Sequence, residues 1–303
     1  MDTESNTLTI ATLNTHTIKK NFDLILNGIS FGIVGVSGVL TIILISKFYD
    51  KQYLGIFNLV YSIYILVSQF TGAGIHFSVL RHISQFSHNE KKSKLVLVSG
   101  LMSVTLNALL CISVFYLTSN FFLVLFDSKN AAESIVLIIP GLFFFATNKV
   151  FLAYYNGAKK FKVLAAVNSV RGLLLIGTLL FFIYTKVNGA FLPLIISVSE
   201  AACFVGAALY TLYEKHFSAS LDSELWGWCK THFVFGYKSL LGSVFIDVNT
   251  RIDVMILGLY ATDQIVGVYS YPSMITEGFL QLPILIRTMI NPHLTIYFAD
   301  TSN

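Results

Sequence analysis

The chain has 303 residues, of which 55% are hydrophobic and only 12% are charged, and its net charge is +4. Soluble domains carry about 25% charged residues, so this composition excludes a soluble globular protein and indicates a membrane protein with many spans. In such a protein a basic excess sets the orientation in the membrane, and it gives no reason to expect nucleic acid as a partner.

Eight apolar runs are long enough to cross a membrane, because a hydrocarbon core about 30 Å thick needs roughly 20 apolar residues per helix. Runs of this length predict helices, since a helix satisfies its backbone hydrogen bonds within one segment. We therefore predict an all-α membrane protein, a polytopic bundle of about eight transmembrane helices. The runs are 22–46, 53–77, 95–118, 132–155, 163–185, 189–213, 233–259 and 265–290.

Basic residues are distributed unequally between the two sides of these runs. With the N-terminus inside, the cytoplasmic segments hold eleven Lys and Arg residues and the outer turns hold four. Positive charge is retained on the cytoplasmic side, so both termini are predicted to be cytoplasmic. Residues 1–20 then form a polar, disordered cytoplasmic tail, and residues 214–232 form a cytoplasmic linker.

Two distant stretches, 43–70 and 249–283, have the same layout. Each has an apolar run, a short polar turn and a re-entry that begins with glycine, an apolar residue and an aromatic residue. An offset of 212 residues aligns them and places Gly55 on Gly267. The shared order indicates an internal duplication with a long period. The alternative is that any two membrane hairpins look alike.

Arg171 and Glu200 are ionisable residues at membrane depth, where charge is costly and faces a protein interior or a wet cavity. Arg171 lies nine residues into the fifth run, which is about 13 Å deep at 1.5 Å per residue. It can bind an anion in a cavity or form an internal salt bridge. Glu200, at similar depth in the sixth run, can pair with Arg171 or take up a proton or a sodium ion.

The seventh run carries three charges within seven residues. Asp247 and Arg251 are four residues apart, so they share a helix face and are predicted to form a structural charge pair. Asp253 points elsewhere. Three such charges require a polar lumen or a partner helix, and Glu277 in the eighth run also needs compensation.

Signatures of soluble enzymes and metal sites are missing from the sequence. It contains no P-loop and no H-E-x-x-H motif. The cysteines Cys111, Cys203 and Cys229 are scattered without metal-ligand spacing. We expect no enzymatic activity, no metal and no cofactor.

Three segments carry a resemblance to a known family. YLGIFNLVYSIYILVSQFTGAGIHFSVLRHIS, residues 53–84, resembles the second span of the polysaccharide flippases of the MOP superfamily, which includes O-antigen-type flippases. NTRIDVMILGLYATDQIVGVYS, residues 249–270, looks like the start of that family's second half. YYNGAKKFKVLAAVNSVRG, residues 154–172, resembles its cytoplasmic turn between the fourth and fifth spans.

The resemblance implies two six-helix halves. Residues 21–213 would form the first six-helix repeat, and residues 233–303 would supply the first two helices of the second. The sequence therefore looks truncated after eight helices relative to the family.

The resemblance also implies a function. Such flippases move an undecaprenyl-diphosphate-linked oligosaccharide across the cytoplasmic (inner) membrane, driven by a proton or sodium gradient. Arg171 and Arg251 would bind the diphosphate, because arginine matches phosphate geometry, and Glu200 and Asp253 would couple the ion. Partners would be the lipid-linked oligosaccharide, the ion, membrane lipids and other polysaccharide-assembly membrane proteins.

Two alternatives remain open. The first is a cation-coupled multidrug exporter of the same superfamily, in which acidic residues would matter more than arginines. The second is a membrane-embedded enzyme of surface-glycan assembly, which needs a large polar outer loop or an intramembrane histidine. The outer loops of this sequence are short, which argues against the enzyme.

Overall fold

A computed structural model describes residues 2–86, 88–119, 121, 129–214 and 223–279, with side chains from Ile25 onward except at 129, 132, 223, 246 and 247. The predicted all-α membrane bundle is confirmed, and the described residues contain no strand. The helices are α1 (Asp2–Phe48), α2 (Lys51–Gly72), α3 (Ile75–Gln85), α4 (Glu90–Leu117), α5 (Lys129–Val136), α6 (Ile139–Gly157), α7 (Phe161–Tyr184), a 3₁₀ turn (Gly189–Phe191), α8 (Leu194–Tyr213), α9 (Ser223–Tyr260) and α10 (263–279).

The described helices account for each predicted span. Six segments are long and apolar enough to cross a membrane, and they coincide with the first six predicted runs. α9 and α10 coincide with the seventh and eighth runs, although residues 280–290 lie outside the described residues. The chain is therefore a multi-pass membrane protein. The six segments are Ile25–Phe48, Lys51–Gly72, Glu90–Leu117, Glu133–Gly157, Phe161–Tyr184 and Gly189–Tyr213.

Two helices extend beyond their predicted limits. α1 begins at Asp2, so the expected disordered tail is helical. Residues 2–20 contain no proline or glycine that would stop a helix. α9 begins at Ser223, within the predicted linker, whose residues 215–222 lie outside the described part.

The predicted second span is divided into α2 and α3 by a sharp break. Ala73 and Gly74 adopt left-handed backbone conformations, with φ of 43° and 65°, and the Ala73 N–H donates to Gln69 O. The backbone at this break lies directly against α9. A Cβ added to Gly74 would lie 2.5 Å from Gly236 O, and a Cβ added to Gly236 would lie 2.4 Å from Ala73 O. Glycine permits this backbone-to-backbone approach.

Two prolines within predicted spans begin helices. Pro140 occupies the first turn of α6, and Pro193 is the N-cap of α8. Proline is tolerated at these positions because the N–H that it lacks would have no partner within the helix. The fourth span is accordingly interrupted between α5 and α6.

The helices pack around two apolar cores. One core includes Ile42, Leu54 and Ile195, and the other includes Val79 and Val150. α1 packs along α7 and α6 along α8, while α9 packs against α2, α3 and α4. Because lipid is as apolar as leucine, helices in a membrane depend on close packing and polar contacts for their association. Polar contacts between helices therefore distinguish the protein interior from the surface that faces lipid.

Candidate functional site

The first buried ion pair joins α7 to α8. Arg171 Nε lies 2.9 Å from Glu200 Oε1, and Arg171 Nη2 donates to Glu200 Oε2 at 3.2 Å. The Glu200 side chain is 5% exposed and that of Arg171 is 18% exposed. Two contacts between a planar guanidinium and a carboxylate form a strong and directional ion pair. The geometry corresponds to the salt-bridge alternative that the sequence left open for these residues.

α6 holds the carboxylate of this pair in place. Asn148 Nδ2 donates to Glu200 Oε2 at 2.8 Å and to the Glu200 carbonyl at 2.9 Å. The Asn148 amide oxygen and the Tyr64 hydroxyl are buried and have no hydrogen-bond partner in the described part of the chain. Glu200 is thus fixed from two sides, beside polar atoms with unused hydrogen-bonding capacity.

The second buried ion pair joins α9 to α10 and α2. Arg251 Nη2 donates to Glu277 Oε2, and Arg251 Nη1 donates to Asn58 Oδ1 at 3.3 Å. The Arg251 guanidinium carbon lies 4.7 Å from the centroid of the Tyr61 ring. Asn58 Nδ2 in turn donates to Ser270 Oγ at 2.6 Å. Arg251 is therefore buried at a three-helix junction, and α10 is a partner helix of the kind that its charge required.

The other predicted site residues are Asp253 and Asp247. Asp253 is exposed and accepts hydrogen bonds from the Tyr269 hydroxyl and from the Val254 N–H. The Asp247 side chain lies outside the described residues, so its pairing with Arg251 stays a prediction. The structure thus brings Arg171 to Glu200, whereas Arg251 and Asp253 have different hydrogen-bond partners.

A cavity of about 220 Å³ adjoins the second pair, between α1, α2, α7, α8, α9 and α10. Arg251, Glu277 and Tyr61 provide its polar wall. Glu277 Oε1 has no hydrogen-bond partner among the described residues. The cavity is therefore mostly apolar, with one carboxylate oxygen available to a ligand. Its apolar lining includes Phe31, Val34, Ile42, Phe57, Leu175 and Met274.

Sequence reasoning overlooked Lys149, which lies in α6 near the first pair. Its Nζ lies 3.5 Å from Gln69 Oε1 and 4.6 Å from the centroid of the Phe145 ring. The Arg171 guanidinium carbon lies 5.8 Å from the centroid of that ring. The available signal was that Lys149 is the only charged residue in the sequence of α6. The described residues contain no cluster of His, Cys, Asp and Glu that could hold a metal ion.

Solved structures of several transporters share the fold of this chain. The eukaryotic MATE transporter AtDTX14 superposes with a TM-score of 0.68 at 14% identity, covering 90% of this chain and 64% of that chain. An inward-facing multidrug resistance MATE transporter of the MOP superfamily gives a TM-score of 0.63 at 16% identity, with 88% and 60% covered. A MOP superfamily transporter from Pyrococcus furiosus gives 0.56 at 16% identity, with 91% and 70% covered. These identities show the fold alone, which is the MATE-like helical transporter fold.

A sequence profile then identifies the family. The profile described as polysaccharide biosynthesis protein matches residues 22–291, so the chain belongs to that family. The family match and the MATE-like fold agree with the resemblance to the polysaccharide flippases of the MOP superfamily. The chain spans about two thirds of the length of the solved transporters that it resembles. No curated protein matches it.

Proposed function

We propose that the chain takes part in moving an oligosaccharide linked to undecaprenyl diphosphate across the cytoplasmic membrane. The observation that carries this proposal is the pair of buried arginines, Arg171 and Arg251, each held by a glutamate. The chain belongs to a family described by polysaccharide biosynthesis. An oligosaccharide substrate carried on a lipid diphosphate would bring negative charge, which buried arginines can bind.

Exchange of partners gives a mechanism for this binding. The guanidinium fork matches carboxylate and phosphate alike, so a diphosphate can replace Glu200 at Arg171. A buried carboxylate that loses its cation is strongly destabilised, and Glu200 would then require a proton or a sodium ion. Substrate binding and ion binding are thereby linked through one carboxylate. Asp253, which is exposed and bonded to Tyr269, is the second ion-coupling candidate, because it can exchange ions with water.

We further propose that the chain lies in the inner membrane with both of its ends in the cytoplasm. The excess of basic residues in the predicted cytoplasmic loops supports it. An ion pair of 2.5 Å between Lys160 and Glu214 agrees with placing these two segments on the same side of the membrane. Membrane lipids and other membrane proteins of polysaccharide assembly are the proposed partners.

Replacing Arg171 tests this function in cells that depend on the chain for surface glycan. Arg171→Ala is expected to make the lipid-linked oligosaccharide accumulate on the inner leaflet and to reduce surface glycan. Arg81→Ala is the matched control, because Arg81 is exposed on α3, and it should leave surface glycan unchanged. Normal surface glycan in an Arg171→Ala strain that expresses the protein at wild-type level would contradict the proposal.

One observation favours multidrug export as a second candidate function. The cavity beside Glu277 is largely apolar and offers a carboxylate oxygen, which suits a lipophilic cation. On this alternative Glu277→Gln would abolish efflux of a lipophilic cation and Arg171→Ala would retain it. The absence of any cation efflux by the wild-type chain would rule out this candidate.

A further inference from the structure

His232 forms a buried, hydrogen-bonded bridge from the start of α9 to two helices of the predicted first repeat. Its Nδ1 lies 2.9 Å from Ser78 Oγ on α3, and its Nε2 lies 3.1 Å from Ser99 Oγ on α4. All three side chains are fully buried. His232 belongs to the predicted cytoplasmic linker and directly precedes the seventh apolar run. The bridge therefore holds α9 against α3 and α4 at the predicted cytoplasmic end of the bundle.

The hydroxyl of Ser99 determines which nitrogen of His232 carries the hydrogen. Ser99 Oγ lies 2.7 Å from Leu95 O and 3.1 Å from Val96 O, and it donates to these carbonyls because they can only accept. The Ser99 oxygen must then accept a hydrogen bond from His232 Nε2. A neutral imidazole has a single N–H, so Nδ1 accepts a hydrogen bond from the Ser78 hydroxyl. The bridge therefore corresponds to the neutral form of His232, with its hydrogen on Nε2.

A second proton on His232 would disrupt this arrangement at Ser78. Protonated Nδ1 becomes a donor, so Ser78 Oγ must accept and turn its own hydrogen elsewhere. His82 Nδ1, at 3.3 Å from Ser78 Oγ, cannot accept that hydrogen. It lies 2.7 Å from Ser78 O and carries a hydrogen of its own, which it donates to that carbonyl. The cationic ring would therefore face a hydroxyl whose hydrogen neither imidazole can accept.

In the described part of the chain, the helices around His232 place no carboxylate close enough to stabilise its cation. α2 and α3 contain no Asp or Glu. The single carboxylate of α4 is Glu90, nine residues before Ser99, and the nearest one along α9 is Glu224, eight residues before His232. At 1.5 Å per residue, each lies about 12 Å or more away along its helix axis. Other ionisable groups on the adjoining turns include His76, Arg81, His82, Lys94, Cys229 and Lys230.

The pKa of His232 reflects this environment. Burial, and then the neighbouring His82, lower the pKa of His232 to about 4, although a hydrogen bond to the Val96 carbonyl acts in the opposite direction. A histidine exposed to water titrates near about 6.5. Opening of the contact therefore takes up a proton. The bridge stabilises the closed contact fully above about pH 6.5 and loses this effect as the pH falls from about 6.5 to about 4.

The bridge adjoins the break between α2 and α3. One turn after His232, Gly236 packs against the backbone at Gly74. The next residue, Tyr237, donates from its hydroxyl to Asn107 Oδ1 at 3.1 Å. Asn107 Nδ2 in turn donates to two of the last carbonyls of α2, at 2.8 and 2.9 Å. Release of this end of α9 would therefore also release the contacts that surround the break.

We propose that His232 is a proton-sensitive catch between α9 and the predicted first repeat. The neutral ring holds α9 against α3 and α4, and protonation of Nδ1 releases this end of α9 from the break between α2 and α3. The proposal concerns the movement of α9 and does not depend on which substrate the chain carries.

The native cysteine Cys229 can report this opening. It is buried one turn before His232, and its Sγ donates to Ser99 O at 3.6 Å. A thiol in this position reacts when the contact opens, so its labelling rate follows the population of the open form. The full chain in lipid nanodiscs is labelled with a thiol reagent at about pH 7.5 and about pH 5, and labelling at Cys229 is measured by mass spectrometry. A chain with Cys229→Ser and Lys230→Cys carries an exposed thiol at the next position and corrects for the direct effect of pH on labelling.

We expect the corrected labelling rate of the wild-type chain to be about tenfold or more higher at the lower pH. His232→Gln should show no such rise, because glutamine does not take up a proton. His82→Gln should retain a rise. His88→Gln is the matched control, since His88 is exposed, and it should behave as wild type.

Three results would overturn the proposal. They are a wild-type rate that does not rise, a rise that persists in His232→Gln, and a rise that is lost in His82→Gln. If His232→Gln is already labelled rapidly at about pH 7.5, glutamine does not hold the contact and His82→Gln decides. A rise in His82→Gln then supports His232 as the group that takes up the proton, and its loss assigns that role to His82.

Discussion

Gly55 and Gly267 lie against each other's helices in a reciprocal contact between α2 and α10. A Cβ added to Gly55 would lie 1.9 Å from Asp263 O, and a Cβ added to Gly267 would lie 1.9 Å from Lys51 O. Lys51 and Asp263 are separated in the sequence by the same interval as the two glycines. Each helix therefore offers its partner the same surface, as in an isologous two-fold interface.

The interval of 212 residues recurs in the polar contact beside the glycines. Asn58 donates to Ser270, and these residues are also 212 apart. The offset came from aligning two stretches of sequence, and the structure brings equivalent positions of those stretches together. This interface supports an internal duplication in which α2 and α10 are equivalent helices.

Substitution of Gly55 is expected to separate α2 from α10. Gly55→Ala places a methyl group where a backbone carbonyl lies, and backbone cannot move aside as a side chain can. Overpacking typically costs about 1–3 kcal/mol, so the melting temperature in detergent should fall clearly. Gly242→Ala is the control, since a Cβ at Gly242 meets nothing within 4 Å. Equal thermal stability of Gly55→Ala and wild type would contradict the reciprocal contact.

Replacing one partner of the Arg171–Glu200 pair is expected to lower the free energy of unfolding more than replacing both partners does. Breaking a buried pair typically costs about 3–5 kcal/mol, whereas replacing both partners by apolar residues is often neutral. Arg171→Leu and Glu200→Leu should each lower thermal stability, and the double variant should recover most of the loss. A double variant no more stable than either single variant would show that the two side chains do not act as a pair.

Glu277 is expected to be the main partner that stabilises the buried charge of Arg251. Double-mutant cycles should give a large coupling energy for Arg251 with Glu277 and with Asn58, because their groups are in direct contact. The cycle of Arg251 with Asp247 tests the charge pair that spacing alone suggested. If the coupling with Asp247 exceeds that with Glu277, the assignment of the main partner is wrong.

The sequence determined the architecture more completely than the site. Apolar runs predicted the spans, because the thickness of a membrane fixes the length of a helix. Charges at membrane depth identified Arg171, Glu200 and Arg251, because each must be compensated inside the protein. The identity of the compensating group is a matter of three-dimensional packing. Spacing within α9 favoured Asp247 for Arg251, whereas the described contact is to Glu277 on another helix.

Local sequence patterns do not predict where α2 ends or what surrounds Lys149. The break at Ala73 and Gly74 depends on contact with Gly236, which is remote in sequence. Lys149 is half-buried against Phe145 and Gln69. Its sequence shows that it is the single charge of α6, but the contact with Gln69 on α2 is visible only in the structure. Tertiary contacts decide both cases.

His232 is expected to anchor the start of α9 to α3 and α4. It is fully buried, and its ring nitrogens lie 2.9 Å from Ser78 Oγ and 3.1 Å from Ser99 Oγ. His232→Ala removes this partner from both hydroxyls and opens a cavity. The free energy of unfolding should therefore fall by about 2–4 kcal/mol. His88→Ala, at an exposed position, serves as the control. If the two variants have equal stability, His232 does not anchor α9.

Reconstitution of the full chain into proteoliposomes tests the central claim most directly. A fluorescent oligosaccharide linked to undecaprenyl diphosphate is placed in the bilayer, and its transfer between leaflets is followed by quenching from one side under an imposed ion gradient. We predict transfer faster than in protein-free liposomes, a strong reduction for Arg171→Ala and wild-type transfer for Arg81→Ala. Transfer by the wild-type chain at the protein-free rate, in vesicles that contain folded protein, would contradict the account.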